Sequence, residues 1–277
     1  MTMVPSQLKK LYQENRLIPF IGAGVSMAVQ WIRDGKEQRG LSWKELVDEA
    51  SRQLGFQDPE LARARGTDLQ ILEYFRIKNQ QFAKLHNWFV RTMHAPDEGL
   101  RSSRIHAELA RMEKCHLFYT TNFDEFLERG LELNGRQCNV LVTEADMGVF
   151  AEDCQVVKFH GDLNNPNVMV LSESDYEKRL AFREAMDFRL RSDVLGRAVL
   201  FIGYSFRDPN VAYLFHLVNE QFKELPASLS GKRAYIVVPD PSDFEISLFN
   251  ERNIEVLSVD SEDVTQGVLD VLRAIRS

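Results

Sequence analysis

A chain of 277 residues with 44% hydrophobic and 27% charged residues is long enough to bury a full core and has the make-up of an ordinary globular protein. Its formal charge of −7 argues against broad nucleic-acid binding, and no apolar run reaches membrane-spanning length. The three cysteines, Cys115, Cys138 and Cys154, are scattered and include no C-x-x-C pair, which excludes a four-cysteine zinc site within the chain.

Those cysteines read as reduced packing thiols, and the first ten residues lack the apolar core of a signal peptide, so a cytoplasmic protein is expected. Residues 5–15 predict a short leading helix with Leu8, Leu11 and Tyr12 on one side. Leu17 to Ile21 is a short apolar run, the length of a buried strand, and Gly22-Ala23-Gly24 breaks it before a segment able to turn helical. A strand, a glycine turn and a helix start form an anion site, with unpaired amides facing a phosphate. Ser26 adds a hydroxyl there, and a side chain replacing Gly24 is expected to crowd the phosphates. An ordinary βα turn accounts for the same residues, because the third glycine of the dinucleotide fingerprint is missing.

Residues 28–40 lose periodicity and hold two glycines among charges, which predicts a mobile loop over the glycine turn. Ser42 to Glu45 is a capping-box pattern opening a helix through Leu54. Helical periodicity returns over 68–75, 80–93 and 101–114. Residues 41–114 are therefore expected to form a helical insertion between the first two strands of a single domain spanning 1–277.

Beyond that insertion strands and helices alternate. Strands are predicted over 117–120, 140–142, 156–159, 168–171, 199–203, 235–238 and 254–259. Helices are predicted over 123–133 and 172–193, from Asp208-Pro209 onward, and over 264–275. Short, continuously apolar strands separated by helices imply an α/β fold, a Rossmann-like, doubly wound, mostly parallel sheet covered on both faces. Ligands of such sheets sit beyond the carboxyl ends of the strands. Four polar turns gather there: Gly22 to Ser26, Thr121-Asn122-Phe123-Asp124, His160-Gly161-Asp162 and Gly203-Tyr204-Ser205.

In this order the four turns resemble the sirtuin family and its NAD-cleaving bacterial relatives. Gly22 to Ser26 matches the family's G-A-G-x-S, and Thr121 to Asp124 its T-x-N-x-D with one residue fewer between threonine and asparagine. His160-Gly161 matches its histidine-glycine pair and Gly203 to Ser205 its later G-x-S. The resemblance covers roughly 15–40 and 115–260. Deacylating sirtuins carry a zinc ribbon before the last motif, whereas residues 162–202 here contain no cysteine. Their P-D-F-R segment is also missing, and Gly40 to Leu46 with the following helices looks like the defence-associated branch, which hydrolyses NAD+ and usually does not deacylate protein.

The resemblance implies an NAD+ hydrolase of bacterial antiphage defence with NAD+ as substrate and no zinc. Asn122 and His160 are the expected catalytic residues, and Gly22, Ala23, Gly24, Ser26, Thr121, Asp124, Gly203 and Ser205 the expected NAD+-binding ones. Asp240, after the strand ending Val238-Pro239, is a further candidate for an adenosine hydroxyl. The chemistry agrees: cleavage through an oxocarbenium-like state needs the pyrophosphate held, the carboxamide oriented, and a water and base near the ribose. Asn122 suits the water or ribose, Asp124 the carboxamide or the growing positive charge, and His160 the base. The other histidines, His86, His94, His106, His116 and His216, lack ligand spacing and read as packing or surface residues.

A chain of this length is expected to lack a separate sensor domain, and a freely active NADase is toxic, so control is expected from self-assembly or a partner. The aromatic run Trp88-Phe89, with Phe82 and Leu85, reads as helix core or an oligomer surface. The branch implies a HerA-family ATPase as partner, or an Argonaute-type protein; neither membrane nor direct nucleic-acid contact is expected. An NAD- or ADP-ribose-sensing subunit without turnover is the rival reading, as is a structural subunit with a vestigial pocket. The purified chain should contain no stoichiometric zinc and remove no acetyl group from lysine peptides, as metal analysis and an NAD-dependent deacetylation assay will test.

Overall fold

The computed structural model describes residues 4–148, 153–180, 184–204 and 233–277. α1 (Ser6–Gln13) leads into β1 (Leu17–Ile21), buried at every residue. A short α2 (Ala23–Met27) follows the glycine turn, then β2 (Gln30–Arg33) and β3 (Lys36–Arg39). A run of helices comes next: α3 (Trp43–Gln53), α4 (Pro59–Arg63), α5 (Asp68–Asn79), α6 (Ala83–Thr92), α7 (Asp97–Ser102) and α8 (Arg104–Ala110). The chain then forms β4 (Leu117–Thr120), α9 (Phe126–Leu133), β5 (Cys138–Leu141), β6 (Cys154–Lys158), α10 (Glu173–Leu180) and α11 (Ala185–Val194). It ends with β7 (Ala198–Ile202), β8 (Ala234–Pro239), α12 (Asp243–Glu251), β9 (Ile254–Val259) and α13 (Val264–Arg276).

Seven of these strands form one parallel sheet in the order β5-β6-β4-β1-β7-β8-β9. β1 is central, with β4 on one side and β7 on the other, so the topological switch point lies at its carboxyl end. Pro19 has no N–H to give and sits just before the β4 pairing begins at Phe20. Apolar clusters cover both faces. One joins α1, α8 and α13 to Leu17, Ile21, Phe118 and Leu200, and the other joins α11 and α12 to Phe20, Tyr119 and Phe201. A third cluster, with Val47, Leu72, Phe75 and Leu85 at its centre, lies within the helices after β3 and reaches the sheet's connections through Phe123, Phe126 and Met169.

Several expectations change. Residues 28–40 are not a loop but the antiparallel hairpin of β2 and β3. Its turn is Asp34-Gly35 with φ of 51° and 72°, the paired left-handed conformations that favour Asp-Gly in two-residue hairpins. The alternation is hard to read because Trp31, packed edge-on against Phe126, is the only fully buried residue of these two strands. Residues 168–171 form no strand: Val170 N–H donates to the His160 carbonyl at 2.8 Å, so the segment covers the turn after β6 instead of joining the sheet. The helix expected over 101–114 is two helices broken at Ser103, whose extended backbone turns the chain. The stretch 172–193 likewise holds α10 and α11. α4 and α12 were signalled by Asp58-Pro59 and by the Ser242–Glu245 capping box. The Asp208-Pro209 helix lies outside the described residues.

α8 and α9 meet at His106, packed so tightly that a Cβ on Gly130 would lie 2.7 Å from its ring. Burial pushes the imidazole down to about 4, while its Nδ1 bonds Ser103 Oγ at 2.7 Å. The unfolded chain therefore takes up this proton near 6.5, well before the folded one does. The stabilisation is complete above that value and is lost as pH falls toward 4. Between pH 7 and pH 5 the parent should lose about 2 kcal/mol more than a His106→Asn variant, measured by urea unfolding at both pH values.

Candidate active site at the switch point

The turn after β1 is built on close backbone approach. A Cβ on Gly22 would lie 2.7 Å from the Gly203 oxygen, and one on Gly24 would lie 2.8 Å from the Gly203 Cα. Gly22 N–H donates to Ile202, Gly24 N–H to Gly203, and Val25 N–H to Gly22. Glycine is thus required here by the neighbouring turn after β7, where Gly203 itself has φ of 79°. This revises the reason given for Gly24: a side chain there collides with Gly203 whether or not a phosphate is present. The Ala23 amide keeps no partner among the described residues.

The turn after β4 is stitched to the first. Asn122 donates from Nδ2 to the Gly22 carbonyl at 3.0 Å and to Ser26 Oγ at 2.9 Å. Ser26 donates in turn to Asp124 at 2.8 Å, and the other Asp124 oxygen accepts from Phe126 N–H. Burial raises the Asp124 carboxyl above its ordinary value. Thr121 Oγ1 meets the Tyr204 hydroxyl at 2.9 Å, and that hydroxyl donates to the Ile21 carbonyl. Tyr204 is buried among Phe20 and Phe201 and packs there.

The turn after β6 carries His160, only 1% exposed. Its ring packs on Phe159 and edge-on against Tyr176, and Nε2 is buried without a partner among the described residues. Burial, aided by the Arg179 charge, pushes the imidazole down to about 3, so it is neutral at physiological pH. Arg179 is held over the Phe159 ring, donates to the Phe159 carbonyl at 3.0 Å and pairs with Asp187 and Glu184. Gly161 has φ of 91°, and a Cβ there would lie 2.4 Å from the Val168 oxygen.

Thr121, Asn122, Asp124 and His160 line one side of a small cavity of about 40 Å³, with Ala23 at its edge. Leu41, Trp43, Phe89 and Met93 close it from the helical side. Gly22, Gly24, Ser26 and Gly203 support this wall without lining it. Asp240 is not among the lining residues; it follows β8, two strands from β1, and its carboxylate accepts from Ser261. Ser205 and His216 lie outside the described residues. His86 bonds the Leu163 carbonyl at 2.7 Å, and His116 bonds that of Asp153.

Sequence reasoning gave no role to Lys158, which has no exposed surface. Its ammonium donates to the Phe123 carbonyl at 3.1 Å, the Asp124 carbonyl at 2.6 Å and Glu128 at 2.8 Å, and it pairs with Asp162. One buried cation thus joins the turn of Asn122 to the turn of His160. Burial alone would lower the ammonium, but Glu128 and Asp162 hold it charged. Burial pushes Glu128 up to about 7 despite the lysine. The available signal was a charge inside the otherwise apolar run Val156-Val157-Lys158-Phe159. Lys158→Met, leaving these carboxyls uncompensated, should cost about 3–5 kcal/mol in urea unfolding, and adding Glu128→Leu should restore part of it.

The sequence profile of the SIR2-like domain matches residues 116–257, from just before β4 into β9. The chain is 28% identical over 218 residues to NAD(+) hydrolase ThsA of Bacillus cereus (strain MSX-D12), covering 78% of this chain and 42% of that protein. It is 23% identical over 238 residues to Defense-associated sirtuin 2 of Bacillus subtilis, covering 84% of this chain and 22% of the other. A chain solved in work on the structural basis for the mechanism and regulation of Sir2 enzymes aligns over 98% of this chain and 99% of its own, at 14% identity and a TM-score of 0.45. The chain therefore spans about two fifths of the length of its ThsA relative. Since the matched segment is more than half of the sequence, the chain belongs to the SIR2-like domain family.

Proposed function

We propose that this chain hydrolyses NAD+ at the bond between nicotinamide and ribose, releasing nicotinamide and ADP-ribose, as an effector of bacterial antiphage defence. The observation that carries the reading is the meeting of Asn122 and His160 in one cavity at the sheet's switch point, beside the glycine turn. Similarity to proteins named NAD(+) hydrolase supports it.

The donors and acceptors present suit that chemistry. Breaking the C1′–N bond leaves its electron pair on nicotinamide, which departs neutral, and leaves positive charge on the ribose. Among the residues lining the cavity, the Asp124 carboxyl is the group suited to a developing cation. Asn122 commits both N–H bonds to Gly22 and Ser26, so its carbonyl oxygen is the group left to orient a water or ribose hydroxyl. Water oxygen then bonds to C1′, and its proton passes to His160 Nε2 and on to solvent. A neutral imidazole is in the accepting form, and water adding to a near-cation is acidic enough for a weak base. The Ala23 amide is the group of the first turn left for the pyrophosphate.

Uncontrolled turnover would drain the cell that makes the protein. We therefore assign it a cytoplasmic place, a homo-oligomeric state and a HerA-family ATPase partner, with an Argonaute-type partner as the alternative. No helix among the described residues is long and apolar enough to cross a membrane.

Asn122→Ala and His160→Ala should each lower nicotinamide release by at least about a hundredfold, the lower range for losing acid–base catalysis, while His94→Ala should leave it near the parent rate. Nicotinamide release and NAD+ binding are measured together, alone and with the product of the neighbouring gene. Saturable binding without turnover by the parent would mark a sensing subunit, and parental turnover by His160→Ala would remove His160 from the active site.

A further inference from the structure

Trp43 occupies the first position of α3, fixed there by the reciprocal Ser42–Glu45 capping box. The segment before it is pressed onto α2, for a Cβ on Gly40 would lie 2.1 Å from the Ser26 carbonyl oxygen. Ser26 is itself bonded to Asn122 and Asp124. Trp43 is therefore held in register with the turn carrying Asn122, and it lines the same cavity as Asn122 and His160. Its indole N–H is shielded from solvent and meets no acceptor among the described residues. A buried donor without an acceptor is costly and uncommon in a native fold. Leu41, Leu46, Phe89 and Met93 line the cavity with it and are apolar.

The geometry points to Trp43 as the residue that recognises the amide of nicotinamide, its indole N–H donating to the carboxamide oxygen. This rests on the NAD+ reading given above. An aromatic amide satisfies both features of the wall: its ring suits the apolar surface, and its oxygen accepts the unpaired donor. A diphosphate is too polar for so apolar a recess. The recess is partly open and holds about 40 Å³, so a ring needs more room than it now gives. Trp43 thus contributes to binding the leaving group and not the ADP-ribose half.

The test is Trp43→Phe, which keeps an aromatic ring and removes the N–H. Its thermal melting should match the parent. The KM for NAD+ and the inhibition constant of free nicotinamide should both rise about three- to tenfold, the loss of one neutral hydrogen bond, with the inhibition constant of ADP-ribose unchanged. Equal nicotinamide inhibition of the two proteins overturns the assignment. Parallel weakening of ADP-ribose also overturns it, because the change would then be a general disturbance of the pocket. If the parent releases no nicotinamide from NAD+, the hydrolase reading fails by itself. Equilibrium titration of both proteins with nicotinamide then still decides the contact, tighter binding by the parent supporting it and equal binding overturning it.

Discussion

The candidate site depends on a lysine that water does not reach. Lys158 ends β6, and its ammonium is bonded to two carbonyls of the β4 turn and to carboxylates from α9 and the β6 turn. Removing a charge from water costs several kcal/mol, so such a group persists only where its partners are complete. Here the partners are the backbone of Phe123 and Asp124 together with Glu128 and Asp162. Holding them all at once sets the distance between the two turns that bear Asn122 and His160. The positions of the two side chains facing the cavity are thus consequences of one buried ion cluster.

A second constraint comes from the absence of side chains. Gly22, Gly24 and Gly203 allow the turns after β1 and β7 to touch through their backbones, closing the switch point into a continuous wall. Gly40 does the same between the hairpin's end and α2, bringing Leu41 and Trp43 over that wall. These contacts explain glycine by protein packing alone.

The electrostatics of the cavity are divided. Thr121, Asn122, Asp124 and His160 give it polar lining, whereas Leu41, Leu46, Phe89 and Met93 give it apolar lining. His160 is kept neutral by burial and by the nearby Arg179 guanidinium.

The sequence by itself determined the class of fold and the identity of the polar turns. Short, continuous apolar runs such as Leu17–Ile21 and Ala198–Ile202, each followed by a glycine turn, have the length of buried strands, and parallel strands place their following turns on one edge. Local capping chemistry likewise placed the start of α3, because a Ser-x-x-Glu box acts within one turn of helix. The hairpin of β2 and β3 was written in Asp34-Gly35 but hidden among charges, since only Trp31 in those strands is fully buried. Only the tertiary structure decided that Asp240 stands two strands from the glycine turn, that residues 168–171 cover His160 instead of extending the sheet, and that Lys158 is buried. Each of those depends on strand order or on contacts between residues distant in the chain. Composition and periodicity report local preference, and they carry no record of which distant group completes a buried charge.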